Sequence, residues 1–254
     1  MTIDRELLRA LAEDGLSPAP PPGSASRRID DDHRYVIEIG PEPSPDMNLV
    51  FRLRLDGADI AGAVGEARGV FDAAGRTEAT WEVSSGATPA GLAQHLQALG
   101  MVPHEPASML ALACWHEPAS ATTGVTVEQV ERDDQYREVR EIYEQADGWS
   151  PSQDWLLGPG FVTRYLARID GRAVATADIT WLADERAVFL GGALTLPEER
   201  GRGAYRALVH ARWGDASAAG RPLLVTQSEP MSQPILLRLG FEVVGHIDVL
   251  LDRW

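Results

Sequence analysis

The stretch from Phe189 to Ala218 brings together the residue types that hold an anion. Phe189 to Leu196 alternates as an apolar strand and stops at Pro197. Two acids follow, then Arg200-Gly201-Arg202-Gly203, and Ala204 to Ala218 reads as a helix rich in Ala, Leu and Arg. A glycine-rich turn between strand and helix presents backbone N–H groups at the positive end of the helix. Gly201 and Gly203 carry no Cβ, so the backbone can approach a phosphate closely. Arg200, Arg202 and Arg206 add charge-assisted contacts. The glycines taken alone also fit an ordinary tight connection, so the flanking chain has to be read with them.

Upstream, Tyr165 to Asp178 reads as two strands around an Asp170-Gly171 turn, a strong hairpin signal. Downstream, Pro222 to Gln227 is a short apolar strand and Ser232 to Leu239 a short helix. Leu239-Gly240-Phe241 then leads into a last strand from Glu242 to Leu251. In this order the segments resemble the GNAT superfamily of N-acetyltransferases, from about Val125 to Trp254. Arg200-x-x-Gly203 fits the family's pyrophosphate loop, and Tyr205 departs from it where a small residue is usual.

The resemblance implies an acetyl-CoA donor and an acetyl transfer to an amine. That reaction needs a neutral amine, a polarised thioester carbonyl and a stabilised leaving thiolate. The expected donor-binding set is Leu194, Thr195 and Leu196 on the strand, followed by Arg200, Gly201, Arg202, Gly203, Ala204, Tyr205 and Arg206. Gly191-Gly192 would let that strand bulge or open. The leucines serve equally as core, because the contacts expected of them come from backbone. Many members carry a Tyr four residues before the Gly of Leu-Gly-Phe; here Leu236 stands there. Ser232 is the nearest polar alternative, either beside the thiol or as the cap of the last helix. The strand position where many members place a basic Glu reads Leu190-Gly-Gly-Ala. Asp178, Glu229 or an acid or His from the N-terminal half are the remaining bases, and Asp178 fits a surface position equally. Trp149, Asp154 and Trp155, with Asp147, lie where the family forms its acceptor pocket. Trp beside an acid suits a cation, and aromatic anchoring of a helix explains the same residues.

Composition bounds the rest. The 254 residues suffice for one large or two small domains. A net charge of −15 argues against general binding to nucleic acid or an anionic membrane and suits a cationic amine, or simply solubility. Every Lys/Arg position is Arg. Cys114 is the single cysteine, so no intrachain disulfide and no multi-cysteine metal site is expected; no metal is called for. The N-terminus lacks a long apolar run and reads as a short amphipathic helix. A cytoplasmic protein is expected, as monomer or homodimer.

Residues 1–29 read as this helix plus a Pro-rich arm, Ser17 to Ser24. Asp30-Asp31-Asp32-His33 is a solvated turn or, alternatively, a metal cluster. Candidate strands follow at Tyr35 to Ile39 and Asn48 to Leu55, a helix near Ala61 to Phe71, and a strand near Thr77 to Ser84. Leu96-Gln-Ala-Leu-Gly-Met, running on to Met109-Leu-Ala-Leu, echoes Leu236-Leu-Arg-Leu-Gly-Phe, running on to Val249-Leu-Leu. Each follows a strand and a proline, which makes a weak internal repeat. The expected architecture is α/β: a GNAT domain at 124–254, with a mixed, mostly antiparallel sheet flanked by helices. A degenerate GNAT-like half without a phosphate loop precedes it at 30–116. The expected function is N-acetylation of a small amine. The alternatives are a CoA-binding regulatory module, longer-acyl transfer or decarboxylation.

Overall fold

The computed structural model describes the chain except residues 1–3, 21, 32, 120–122 and 159. The Asp4 carboxylate accepts the Glu6 N–H and caps α1 (Arg5–Asp14), which buries Leu8, Leu11 and Ala12. The N-terminal half continues with β1 (Arg27–Asp31), β2 (Tyr35–Ile39), β3 (Asn48–Phe51), α2 (Ile60–Asp72), β4 (Glu78–Ser84), α3 (Leu92–Ala98) and β5 (Val102–Cys114). The C-terminal half runs β6 (Val125–Gln129), α4 (Asp133–Ala146), α5 (Gln153–Leu157), β7 (Val162–Ile169), β8 (Arg172–Trp181) and β9 (Ala187–Thr195). It ends with α6 (Ala204–Ala218), β10 (Leu223–Ser228), α7 (Gln233–Arg238) and β11 (Glu242–Arg253).

All of these strands join one sheet, in the order β1-β2-β3-β4-β11-β5-β10-β9-β8-β7-β6. Two neighbouring pairs are parallel, β3 with β4 and β9 with β10, and each is bridged by a crossover helix, α2 or α6. The unit strand–helix–strand–short helix–strand therefore occurs twice, as β3-α2-β4-α3-β5 and β9-α6-β10-α7-β11. The two copies exchange their last strands. β11 lies between β4 and β5, and β5 pairs in turn with β10. Each half thus closes its sheet with a strand from the other.

The exchange is fastened at the C-terminus. Arg68 of α2 grips the buried Asp252 of β11 through two bonds, Nε–Oδ2 at 3.0 Å and Nη2–Oδ1 at 2.6 Å. The Trp254 indole donates to Asp72 at 2.8 Å, and its ring packs on the N-terminal core around Phe71 and Trp81. The C-terminal half keeps its own core, with Leu112, Ile179, Leu190, Leu208, Leu236 and Phe241 among its members.

The acidic stretch at Asp30 runs from the end of a strand into the expected exposed turn, which the Arg34 N–H closes on the Asp31 carbonyl at 2.8 Å. Arg27 to Asp31 form a strand paired along its length with β2, and the acids face arginines: Asp30 meets Arg52 and Asp31 meets Arg34. Asp32 lies outside the described residues. Among the described residues, no group of His, Cys, Asp and Glu comes together as a metal site. Among the same residues, no helix is long and apolar enough to cross a membrane.

Candidate active site

The β9–β10 ladder is short. It joins Ala187 to Leu223, Val188 to Leu224 and Phe189 to Val225, and then the strands part although β9 runs on to Thr195. Past the last pair, Thr226 Oγ1 donates to the Leu190 carbonyl at 2.7 Å. On its other edge β9 bulges against β8: Asp178 faces Gly191, while Thr176 already faces Leu194. Gly192 sits in the bulge at φ +58°. A Cβ there would stand 2.7 Å from Asp178 Oδ2 and 3.1 Å from Tyr143 Oη, so only glycine fits.

Three side chains hold this bulge. Tyr143 of α4 donates to the Gly192 carbonyl at 3.1 Å, and burial pushes its phenol well above the ordinary tyrosine range, so it remains a donor. Arg212 of α6 is fully buried and donates to the carbonyls of Asp178 at 2.9 Å and Gly191 at 3.4 Å. Arg164 of β7 ion-pairs with Asp178, donates to the carbonyls of Leu156 and Trp155 at 2.7 Å each, and stacks 3.9 Å above the Trp155 ring. Arg212 was not among the residues singled out from sequence. Its signal is an Arg within the apolar stripe Ala204, Leu208 and Ala216, spaced by helical turns.

After β9 comes a short 3-10 turn, Pro197–Glu199, and then the glycine-rich loop. Gly201 and Gly203 have φ of +79° and +94°, and Gly203 takes the N-cap position of α6. The arginines are divided in their tasks. Arg202 pairs with Glu199 and Asp170, Arg200 reaches the Thr195 carbonyl at 3.4 Å, and Arg206 is exposed. The side chain of Tyr205 packs against the C-terminal core. Leu196 is buried and donates its N–H to Val174 at 2.9 Å, while Leu194 and Thr195 are half-buried. The loop and the parted strands thus follow one another along the chain, a geometry that fits a phosphate followed by an extended arm.

A cleft of about 920 Å³ opens beside the bulge and spans both halves. Its C-terminal wall includes Arg164, Asp178, Phe189, Gly191 and Gly192. Its N-terminal wall includes Glu13, Glu38, Phe51 and Glu82. The Pro-rich arm lines it too. Arg28 fastens the arm by donating to the Ser17 carbonyl at 2.6 Å while pairing with Glu38. Six carboxyl residues, Glu13, Glu38, Asp46, Glu82, Asp154 and Asp178, line the cleft against two arginines, Arg27 and Arg164.

The expected acid and base candidates fall in different places. Asp178 is buried rather than a surface residue. Burial pushes its carboxyl up, Arg164 opposes the rise, and Oδ1 has no hydrogen-bond partner. Glu229 is exposed and lies outside the cleft lining. Ser232 occupies the N-cap position of α7, but its hydroxyl caps no N–H; it donates to the Glu229 carbonyl at 3.1 Å. Leu236 is buried in the core. Trp155 and Asp154 line the cleft, but the stacking Arg164 already lies over the Trp155 ring. Trp149 packs edge-to-face against Tyr143 and Trp155, and its indole donates to Glu42 at 3.1 Å. It is outside the cleft lining, and its contacts fit the anchoring alternative.

Glu82 was missed by name. It sits on β4 opposite Val249 of β11, partly accessible from the cleft yet surrounded by protein. Desolvation, with Glu38 and Asp14 nearby, pushes its carboxyl up to about 7, and the Gln227 side chain opposes the rise.

No protein-family model matches the sequence, and no curated protein matches it significantly. Solved structures do. A GCN5-related N-acetyltransferase from Kribbella flavida matches with a TM-score of 0.73 at 23% identity, over 99% of this chain and 96% of its own. A tandem GNAT protein from the clavulanic acid biosynthesis pathway matches with a TM-score of 0.62 at 17% identity, over 98% and 93%. A GCN5-related N-acetyltransferase from Sphaerobacter thermophilus matches with a TM-score of 0.61 at 17% identity, over 89% and 82%. The chain has the GNAT fold. The tandem protein matches it across both halves.

Proposed function

We propose that the protein transfers an acetyl group from acetyl-CoA to the amine of a small molecule. The observation that carries this reading is the parting of β9 from β10 after Phe189 and Val225, with the Gly201–Gly203 loop at the end of β9 and the acidic cleft at the bulge. Donor and acceptor then approach one strand from two directions. When bound, acetyl-CoA supplies an acyl group activated as a thioester.

The residues divide the remaining work. The loop from Gly201 to Arg206 holds the pyrophosphate through backbone at the α6 N-terminus. The parted edge of β9, from Leu190 towards Leu194 and Thr195, receives the pantetheine arm. Arg212 and Tyr143 hold the bulge in shape, and a preorganised backbone donor there polarises the acyl carbonyl. The carboxylates of the cleft concentrate a cationic acceptor.

The test is calorimetric titration with CoA, followed by thiol release with acetyl-CoA and a panel of amines. One CoA per chain is expected, since Asp56 and Asp59 stand at the start of α2, where the N-terminal copy would need its own anion loop. Gly203→Val should weaken CoA binding by tenfold or more, on the order of 1.4 kcal/mol, because a β-branched residue cannot adopt φ +94°. Unchanged affinity in a folded variant removes the loop assignment. CoA binding with no transfer to any amine points to a CoA-binding module. That alternative draws on the absence of a carboxylate at Leu190-Gly-Gly-Ala and on the buried Leu236.

A further inference from the structure

The acidic cleft creates a difficulty for the reaction proposed above. Six carboxyl residues line the cleft; Glu38 and Asp178 are paired with Arg28 and Arg164, and the acids left over favour an ammonium ion, so the acceptor arrives protonated and must lose a proton before nitrogen can attack. An ordinary carboxylate, ionised down to about pH 4, is too weak a base to do this well. Asp178 is engaged by Arg164. Glu229 is exposed outside the cleft lining, and the Ser232 hydroxyl is bonded to the Glu229 carbonyl.

Glu82 faces the cleft from β4, with β11, β5 and β10 between its strand and β9. It lines the same cleft as Gly191 and Gly192 of the bulge. Its side chain meets Gln227, the residue after Thr226, where β10 leaves β9. Around it stand Glu38 of β2 and Asp14 of α1, with Glu13 of α1 in the same lining. Of the cations about it, Arg28 pairs with Glu38 and Arg54 with Asp14, and neither arginine of the lining, Arg27 or Arg164, is among the groups acting on Glu82. Glu82 therefore has carboxylates about it and no guanidinium of its own, and it titrates in the neutral range, where a general base works best.

We propose that Glu82, carried by the N-terminal half, is the general base of this site and takes the proton from the acceptor amine, and that the acceptor carries a second cationic group held by the other carboxylates of the cleft. This rests on the acetyl-transfer reading. The amine nitrogen bonds to the acyl carbon, the carbon–sulfur bond breaks and the sulfur keeps its electron pair. Of the two protons the ammonium nitrogen gives up, the first passes to the Glu82 carboxylate before attack and the second to the departing thiolate, which leaves as the free thiol. The N-terminal half is then part of the chemistry and more than a wall.

The experiment compares the full chain with its Glu82→Gln variant, using acetyl-CoA with 1,4-diaminobutane and with n-butylamine. In the wild type, kcat/KM should rise through a midpoint near 7 and favour the diamine. In the variant, kcat at pH 7 should fall about 100-fold and recover steadily as pH rises toward the amine's own range, with CoA affinity by calorimetry unchanged. Infrared titration of protein labelled with ¹³C-glutamate supplies a reading independent of turnover. One carboxyl should titrate near 7 in the wild type and vanish in Glu82→Gln. A variant with a raised KM but an unchanged kcat and pH profile makes Glu82 a cation-binding residue and overturns the proposal, as does the absence of that infrared band. If the wild-type chain acetylates no amine, the transfer reading itself fails and takes this inference with it. Equal rates with the two amines overturn the second cationic group.

Discussion

The Tyr143 hydroxyl donates to the Gly192 carbonyl across 3.1 Å, tying helix α4 to the one glycine of β9 that stands in the left-handed region. The bond fixes which way the bulge turns its peptide groups. Tyr143→Phe keeps the ring and its edge-to-face contacts with Trp149 and Trp155 but leaves the carbonyl without this donor. A loss of about 1 kcal/mol in stability is expected, with kcat lowered and CoA affinity kept, since the phosphate loop lies elsewhere. Steady-state kinetics beside thermal melts check this. If kcat holds while stability drops, the bulge is shaped by its glycines alone.

Most elements of the C-terminal half are legible in the sequence because their signals are local. Asp170-Gly171 turns the β7–β8 hairpin, Pro197 ends β9, and Ala204 to Ala218 is the helix that the composition describes. The repeated helix–Gly–strand junction also marks the two related units. The exchange of β5 and β11 leaves no such mark. Both strands are apolar and of similar character, and which one lies beside β4 depends on contacts distant in sequence, such as Arg68 with Asp252. The strand β1 was hidden because Arg27 to Asp31 has no apolar alternation; it is an edge strand held by backbone pairing and ion pairs. Glu82 was hidden for the opposite reason. In Thr80-Trp81-Glu82-Val83-Ser84 it falls on the polar beat of a strand, the usual solvent face, and only the fold covers that face with α1 and the Pro-rich arm.

The Arg164–Asp178 pair is buried, with side chains 6% and 11% exposed. Removing one partner strands the other charge. Asp178→Asn should destabilise the protein by roughly 3–5 kcal/mol, whereas the double change Arg164→Met with Asp178→Leu should regain much of that. Chemical denaturation of the single and double variants measures the difference. The double variant also loses the guanidinium that supports the Leu156 and Trp155 carbonyls and the bulge, so turnover should stay low even where stability returns. A double variant with full turnover would make the pair purely structural.

Ser232 allows a clean separation of stability from chemistry. Its hydroxyl donates to the Glu229 carbonyl and caps no helix N–H, so Ser232→Ala should cost less than the roughly 1 kcal/mol of a true N-cap. A fall in turnover beyond that cost would support the proposed place of Ser232 beside the leaving thiolate. A large drop in melting temperature speaks for a capping role in solution. Leu236→Tyr, which would put a phenol at a position that is a buried leucine here, meets a fully packed core. It should destabilise by about 1–3 kcal/mol through overpacking.

Glu82 has a signature in stability that does not depend on any substrate. Its carboxyl titrates near 4.5 when unfolded and at about 7 in the folded protein. Between those values the folded state binds the extra proton, so stability falls as pH rises through the window. The favourable contribution is complete below pH 4.5 and lost above 7. A glutamine has no proton to lose and keeps the amide near Gln227. Glu82→Gln should therefore match the wild type at pH 4.5 and exceed it at pH 8, by on the order of 2 kcal/mol after allowance for cleft solvent. Thermal melts of both proteins across this range decide it. A variant less stable than the wild type at pH 8 would mean that the ionised carboxylate is well paired in the folded state, and the crowding of acids around β4 would then have a different explanation.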